Sequence, residues 1–146
     1  METDPLALQN QVCFSLAVAA RTVIGLYRPV LEPLGLTHPQ YLVLLALWER
    51  SPRSLADLGS ALRLEPATLS PLVKRLEASG HVTRARSSDD ERRLDVALTP
   101  SGAALREQAL QVPPQIVERL DVPLEELTAL RDSLTGLIGA ATRDGR

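Results

Sequence analysis

One cysteine, Cys13, in 146 residues excludes an internal disulfide and any cysteine-based metal cluster. Two histidines, His38 and His81, are too few for a histidine-ligated metal, and no cofactor is expected. Aromatic residues make up 3% of the chain against an apolar fraction of 45%, so Leu, Val and Ala must build the core. Such a core favours helices over strands. No apolar run reads as long enough to span a bilayer, and no charged leader precedes a cleavage site. The expectation is a cytoplasmic, reduced protein without a membrane partner. An excess of one charge is also lacking: the net charge is −2 and the pI about 5.7. Nucleic-acid binders are usually basic, so composition alone argues weakly against DNA. The length permits one domain, residues 1–146, large enough to fold without staples.

The cations are unevenly placed. Between Lys74 and Arg93 there are six (Lys74, Arg75, Arg84, Arg86, Arg92, Arg93) against four acids, although the whole chain is acidic. Any phosphate contact must be made by one local face. Residues 6–34 carry apolar positions at helical spacing, with a kink expected at Pro29 and an end at Pro33 and Gly35. Thr37 and Pro39 open a second helix with Tyr41 to Trp48 as its apolar body. Ser54 caps a short helix ending near Leu62, and a turn at 63–65 follows. Pro66 opens the next helix, which runs to Ser79 and Gly80. Pro71 lies about one turn inside it, where missing donors are expected to matter less.

After Gly80 the period changes from helical to alternating. Residues 81–86 and 94–98 read as a two-stranded hairpin whose tip, 87–93, is wholly polar. Thr99 and Pro100 start a helix reaching about Val112, Pro113-Pro114 interrupts it, and a last helix runs from Pro123. The ends, before Leu6 and after Ala141, read as frayed. The expected fold is therefore mainly α with a small β-hairpin, a winged helix-turn-helix over residues 54–99.

Two short helices, a tight turn and a hairpin form a unit whose second helix fits the DNA major groove. Thr68 and Ser70 are small hydroxyl residues that can approach bases or phosphates. Lys74 and Arg75 can reach phosphate or a guanine edge, and Arg84, Arg86 and Arg93 extend the basic face. Arg92 at the hairpin tip is the candidate for minor-groove insertion, with Asp90 orienting it. The bland alternative is a solvated charged face. Leu127, Leu130, Leu134 and Leu137 recur at spacings of three and four, like a helix seam. Residues 6–34 and 100–141 are thus expected to be dimerisation helices, the alternative being intramolecular packing.

The stretch Asp90-Glu91-Arg92-Arg93-Leu94-Asp95-Val96-Ala97-Leu98-Thr99 with Gly102 resembles the wing-to-helix signature of MarR-type repressors. Ala67 to Glu77, with Gly80 after it, looks like their recognition helix. The resemblance implies a homodimer on a pseudo-palindromic double-stranded operator. In the N-terminal third, Asn10 to Phe14, Leu26 to Leu31, Leu36 to Leu44 and Trp48-Glu49 resemble the OhrR branch, which senses organic hydroperoxides. Cys13 matches that branch's reactive cysteine, and Tyr27 a tyrosine that faces it across the dimer. Ala17 and His38 stand where relatives have tyrosines; His38 can still donate a hydrogen bond, Ala17 cannot.

With no second cysteine, the resemblance is to the one-cysteine type, in which a small cellular thiol caps the sulfenic acid. The leading expectation is a peroxide-sensing repressor that releases its operator when Cys13 is oxidised. A second is a repressor relieved by a small aromatic ligand in the dimer cleft, with Cys13 structural. A third, a thiol peroxidase, lacks a resolving cysteine and a thioredoxin-like pattern, so no enzyme is expected.

Overall fold

The computed structural model describes residues 4–144; the first and last few residues of the expected frayed ends lie outside that range. The chain divides into two compact units, Met1–Val112 and Pro113–Arg146.

The first unit opens on a 3-10 turn, Leu8–Asn10, and helix α1, Val12–Leu31. Gln11 between them is extended, so the expected continuous helix from Leu6 is shorter by one turn and a half. Pro29 sits in the last turn of α1, and a 3-10 turn, Glu32–Leu34, closes on Gly35 at φ +72, a left-handed conformation that glycine adopts without a Cβ clash. Helix α2, His38–Glu49, begins with a full capping box. Thr37 Oγ1 accepts from the Gln40 N–H, and the Gln40 side chain accepts from the Thr37 N–H. Leu44 and Leu47 of α2 pack in the core with Leu31, Leu58, Leu69, Leu76, Val82 and Val96. Each such side chain contributes about 1.5–3 kcal/mol by leaving water.

The expected two-stranded hairpin is a three-stranded antiparallel sheet, ordered β1-β3-β2. Strand β1 is only Arg53–Ser54, too short to show alternation, and pairs with Val96 and Asp95 of β3. Strands β2, Val82–Arg86, and β3, Leu94–Leu98, form the wing, with Arg84 opposite Val96. Helix α3, Leu55–Leu62, is capped by Ser54 as expected. A turn with Arg63 at φ +56 leads to helix α4, Pro66–Ala78. Pro71 is the sixth residue of α4, beyond the unpaired first turn. Its missing N–H is therefore one the helix needed, which corrects the sequence reading.

Helix α5, Pro100–Ala109, is capped by Thr99, whose hydroxyl accepts from Gly102 N–H and donates to the Gly80 carbonyl. Gly102 packs so closely on the wing base that an added Cβ would collide with the His81 carbonyl. The Gly102 carbonyl accepts from Trp48 Nε1 at 3.0 Å, tying α2 to α5.

Helix α6, Val112–Leu120, begins at the boundary between the units. Pro113 and Pro114 open it rather than interrupting a helix, because proline costs least in a first turn. Helix α7, Leu124–Asp144, runs past Ala141, where fraying was expected. Leu124, Leu130, Leu137 and Ile138 are exposed on it.

Most of α1 is uncovered too. Only Val30 and Leu31 are buried, while Val12, Phe14 and Ile24 are exposed. The stretch Val12–Leu34 reaches a mean hydropathy of 1.3 and is, by length and composition alone, long and apolar enough to cross a membrane. Arg21 lies near its middle, however, and a charge there costs about 2.5–3.5 kcal/mol in a bilayer. A helix that packs against another protein surface passes the same test.

Candidate nucleic-acid interface and thiol site

The outward face of α4 is set by its helical period. Leu69, Leu72, Val73 and Leu76 are buried, which turns Ala67, Thr68, Pro71, Lys74, Arg75 and Ala78 outward, all exposed. Ser70 is half-buried on the flank of that face. Among the described residues Lys74 and Arg75 enter no ion pair, so their charges are available to phosphate.

The wing is braced from below and open at its tip. Arg84 Nε donates to Glu77 Oε1 at 3.0 Å, its terminal nitrogen lies 2.9 Å from the same oxygen, and the Arg84 N–H donates to Oε2 at 3.3 Å. Those bonds hold the Glu77 carboxyl below its usual range. Arg84 therefore joins the wing to α4, whereas Arg86 is exposed and unpaired among the described residues. Arg93 donates to Asp95 at 3.0 Å and to Ser87 Oγ at 3.1 Å, closing the base of the tip. At the tip the Arg92 side chain is 92% exposed. Asp90 Oδ1 accepts from the Arg92 N–H at 3.0 Å and from its Nε at 3.2 Å. Both bonds lower the Asp90 carboxyl.

Between α3, the turn and the wing lies a groove of about 950 Å³. Arg63, Arg86, Arg92 and Arg93 line it. The sequence reading missed Arg63, which stands outside the basic cluster of 74–93. Its turn position between two helices was the available signal. Glu77 was also missed as an anchor, because its partner lies across the Gly80 turn.

Around Tyr27 the structure gathers part of the expected thiol site. The Tyr27 and His38 rings meet edge-on at 4.7 Å, and Tyr41 lies 6.0 Å from Tyr27 and 6.4 Å from His38. Burial raises both tyrosine hydroxyls, Tyr41 further through Tyr27. Burial lowers His38, which favours its uncharged imidazole form. Cys13 is exposed at the other end of α1. Fourteen residues of helix separate it from Tyr27, about 21 Å at 1.5 Å per residue. Within one chain the two cannot touch. Beside the cluster, Arg21, Ile24, Arg28, Thr37 and His38 line a cavity of about 630 Å³.

Comparison with known proteins identifies the family and the fold. Residues 36–94 match the MarR family model. The organic hydroperoxide resistance transcriptional regulator of Bacillus subtilis is 39% identical over 92% of this chain and 92% of its own length. The structure of reduced AbfR bound to DNA aligns at a TM-score of 0.78 and 35% identity, covering 97% of this chain and 99% of that one. A third neighbour is BpsR of Bordetella bronchiseptica, whose DNA binding is regulated by 6-hydroxynicotinic acid. It aligns at a TM-score of 0.82 and 26% identity over 92% of this chain and 97% of that one. A capped helix-turn-helix, a wing with an oriented arginine at its tip and full-length relatives that regulate transcription together make this chain a DNA-binding transcriptional regulator of the MarR family.

Proposed function

We propose that the protein is a homodimeric, cytoplasmic repressor that senses organic hydroperoxides through Cys13. The observation that carries this reading is the placement of the lone thiol. It is exposed on α1, about 21 Å along the helix from a cluster of half-buried Tyr27 and His38 with buried Tyr41. Two copies paired through their uncovered α1 and α7 faces would bring Cys13 of one protomer against the partner's Tyr27. In that setting the tyrosine hydroxyl and the neutral His38 imidazole donate hydrogen bonds to the thiolate or to the peroxide. The Bacillus subtilis relative, named for organic hydroperoxide resistance, supports the same assignment.

The thiolate attacks the terminal peroxide oxygen, an S–O bond forms as the O–O bond breaks, and the alkoxide leaves, taking up the proton shed by the thiol to become a neutral alcohol. A small thiol then attacks the sulfenic sulfur, forming a mixed disulfide and releasing water. Bulk added on α1 separates the two α4 helices from their half-sites, and the operator is released. On DNA, α4 occupies the major groove through Thr68, Lys74 and Arg75, with Ser70 at its edge. Arg92 enters the minor groove, and Arg86, Arg93 and Arg63 face the intervening phosphates.

The test is operator release by cumene hydroperoxide, read with the parent protein and Cys13→Ser. Release from the parent alone supports the sensor, and release from both removes Cys13 from that role. Mass spectrometry after treatment in the presence of small thiols identifies the cap. The second reading, relief by a small aromatic ligand, is favoured by the 630 Å³ cavity lined by Arg21 and Arg28. The BpsR neighbour, regulated by an aromatic acid, points the same way. In that case both proteins ignore peroxide and both release DNA with an aromatic carboxylate.

A further inference from the structure

Pro71 breaks a rule of helix building, and nothing among the described residues offsets it. As the sixth residue of α4 it removes a bond that the Ala67 carbonyl would accept, and its ring crowds that carbonyl. A proline ring packed in the core would regain part of that loss, but Pro71 is exposed. When a residue breaks a local rule without compensation in the fold, the compensation is expected where the protein works. Its position says what it meets. At 3.6 residues per turn, Pro71 is the middle of an arc of about 120°. Thr68 and Arg75 lie to one side of it and Ala67, Ala78 and Lys74 to the other, all exposed. The centre of the outward face is thus apolar, with polar residues at its borders. The apolar group that base pairs display in the major groove is the C5 methyl of thymine.

We propose that Pro71, with Ala67 beside it, is a specificity-determining residue that reads a thymine methyl group in each operator half-site. Thr68, Lys74 and Arg75 around it take phosphates and polar base edges. The ring is already fixed, so this contact orders no side chain on binding. The proposal rests on α4 being the major-groove helix, and the experiment separates the two.

A tight-binding palindromic duplex is selected from a random library with the full chain. Each thymine is then replaced in turn by deoxyuracil, which removes the methyl and keeps the base pair. One thymine per half-site is expected to lose several-fold in affinity for the parent protein and nothing for Pro71→Ala. Elsewhere the two proteins respond alike. Pro71→Ala is also expected to melt several degrees higher, because the helix regains its bond, so lost discrimination is not lost folding. A uracil profile that is flat, or identical for parent and variant, overturns the proposal. Lys74→Ala is measured alongside. If it leaves operator affinity unchanged, the placement of α4 fails and the proposal with it. If it weakens binding while the uracil profile is flat, only the methyl reading fails.

Discussion

Arg92 and Asp90 form a pair in which, on the proposed reading, one group would carry the DNA contact and the other aim it. Arg92 reaches solvent from the wing tip while its backbone and Nε are both tied to Asp90. Arg92→Ala should therefore weaken operator binding by about 1–2 kcal/mol, roughly five- to thirtyfold, whereas Asp90→Ala should cost less. Fluorescence anisotropy on an operator duplex checks the order, and equal losses would contradict the aiming role. His38 makes a different kind of prediction. Burial holds its folded pKa below the unfolded value of about 6.5. The unfolded chain then binds the proton first. His38 contributes its stability above about pH 6.5 and loses it as pH falls towards the folded pKa. Urea midpoints at neutral and mildly acidic pH should fall further for the parent than for His38→Gln.

Among the elements, the wing is held by two contacts that differ in kind. Gly102 lets α5 approach the His81 carbonyl, and Gly102→Ala should destabilise the fold by about 1–3 kcal/mol in urea denaturation. The Arg84–Glu77 bonds instead set where the wing stands relative to α4. Glu77→Gln should weaken operator binding, and Arg92→Ala added to it should cost less than it does alone, since a displaced tip has already lost its contact.

How far such elements were legible depended on punctuation. Ser54, Pro66, Gly80 and Thr99 mark the winged unit closely, because caps and turns have strong local chemistry. Pro113-Pro114 misled for the same reason, since two prolines end one helix or begin another with equal ease. Strand β1 was hidden because two residues carry no period, and its partners lie some forty positions on. Of the site, the basic residues were legible by type. Which of them face solvent was not: Arg84 and Arg92 look alike until Glu77 and Asp90 are placed beside them in space.

For the whole molecule, the proposed dimer rests on the exposed apolar residues of α1 and those of α7. Leu130→Glu with Leu137→Glu should convert the dimer to monomer in sedimentation equilibrium and abolish tight operator binding, leaving the first unit's core untouched. Binding by the parent should fall steeply with salt, and Lys74→Ala should reduce that slope by about one if it holds a phosphate. The 21 Å between Cys13 and Tyr27 has a consequence of its own. A sensor assembled from two protomers can be repaired by mixing broken ones. In a heterodimer of Cys13→Ser with Tyr27→Phe, one site has lost both groups and the other has kept both. Such a mixed pair should answer peroxide with one fully competent site although each homodimer is impaired, a complementation that a site within a single chain could not produce.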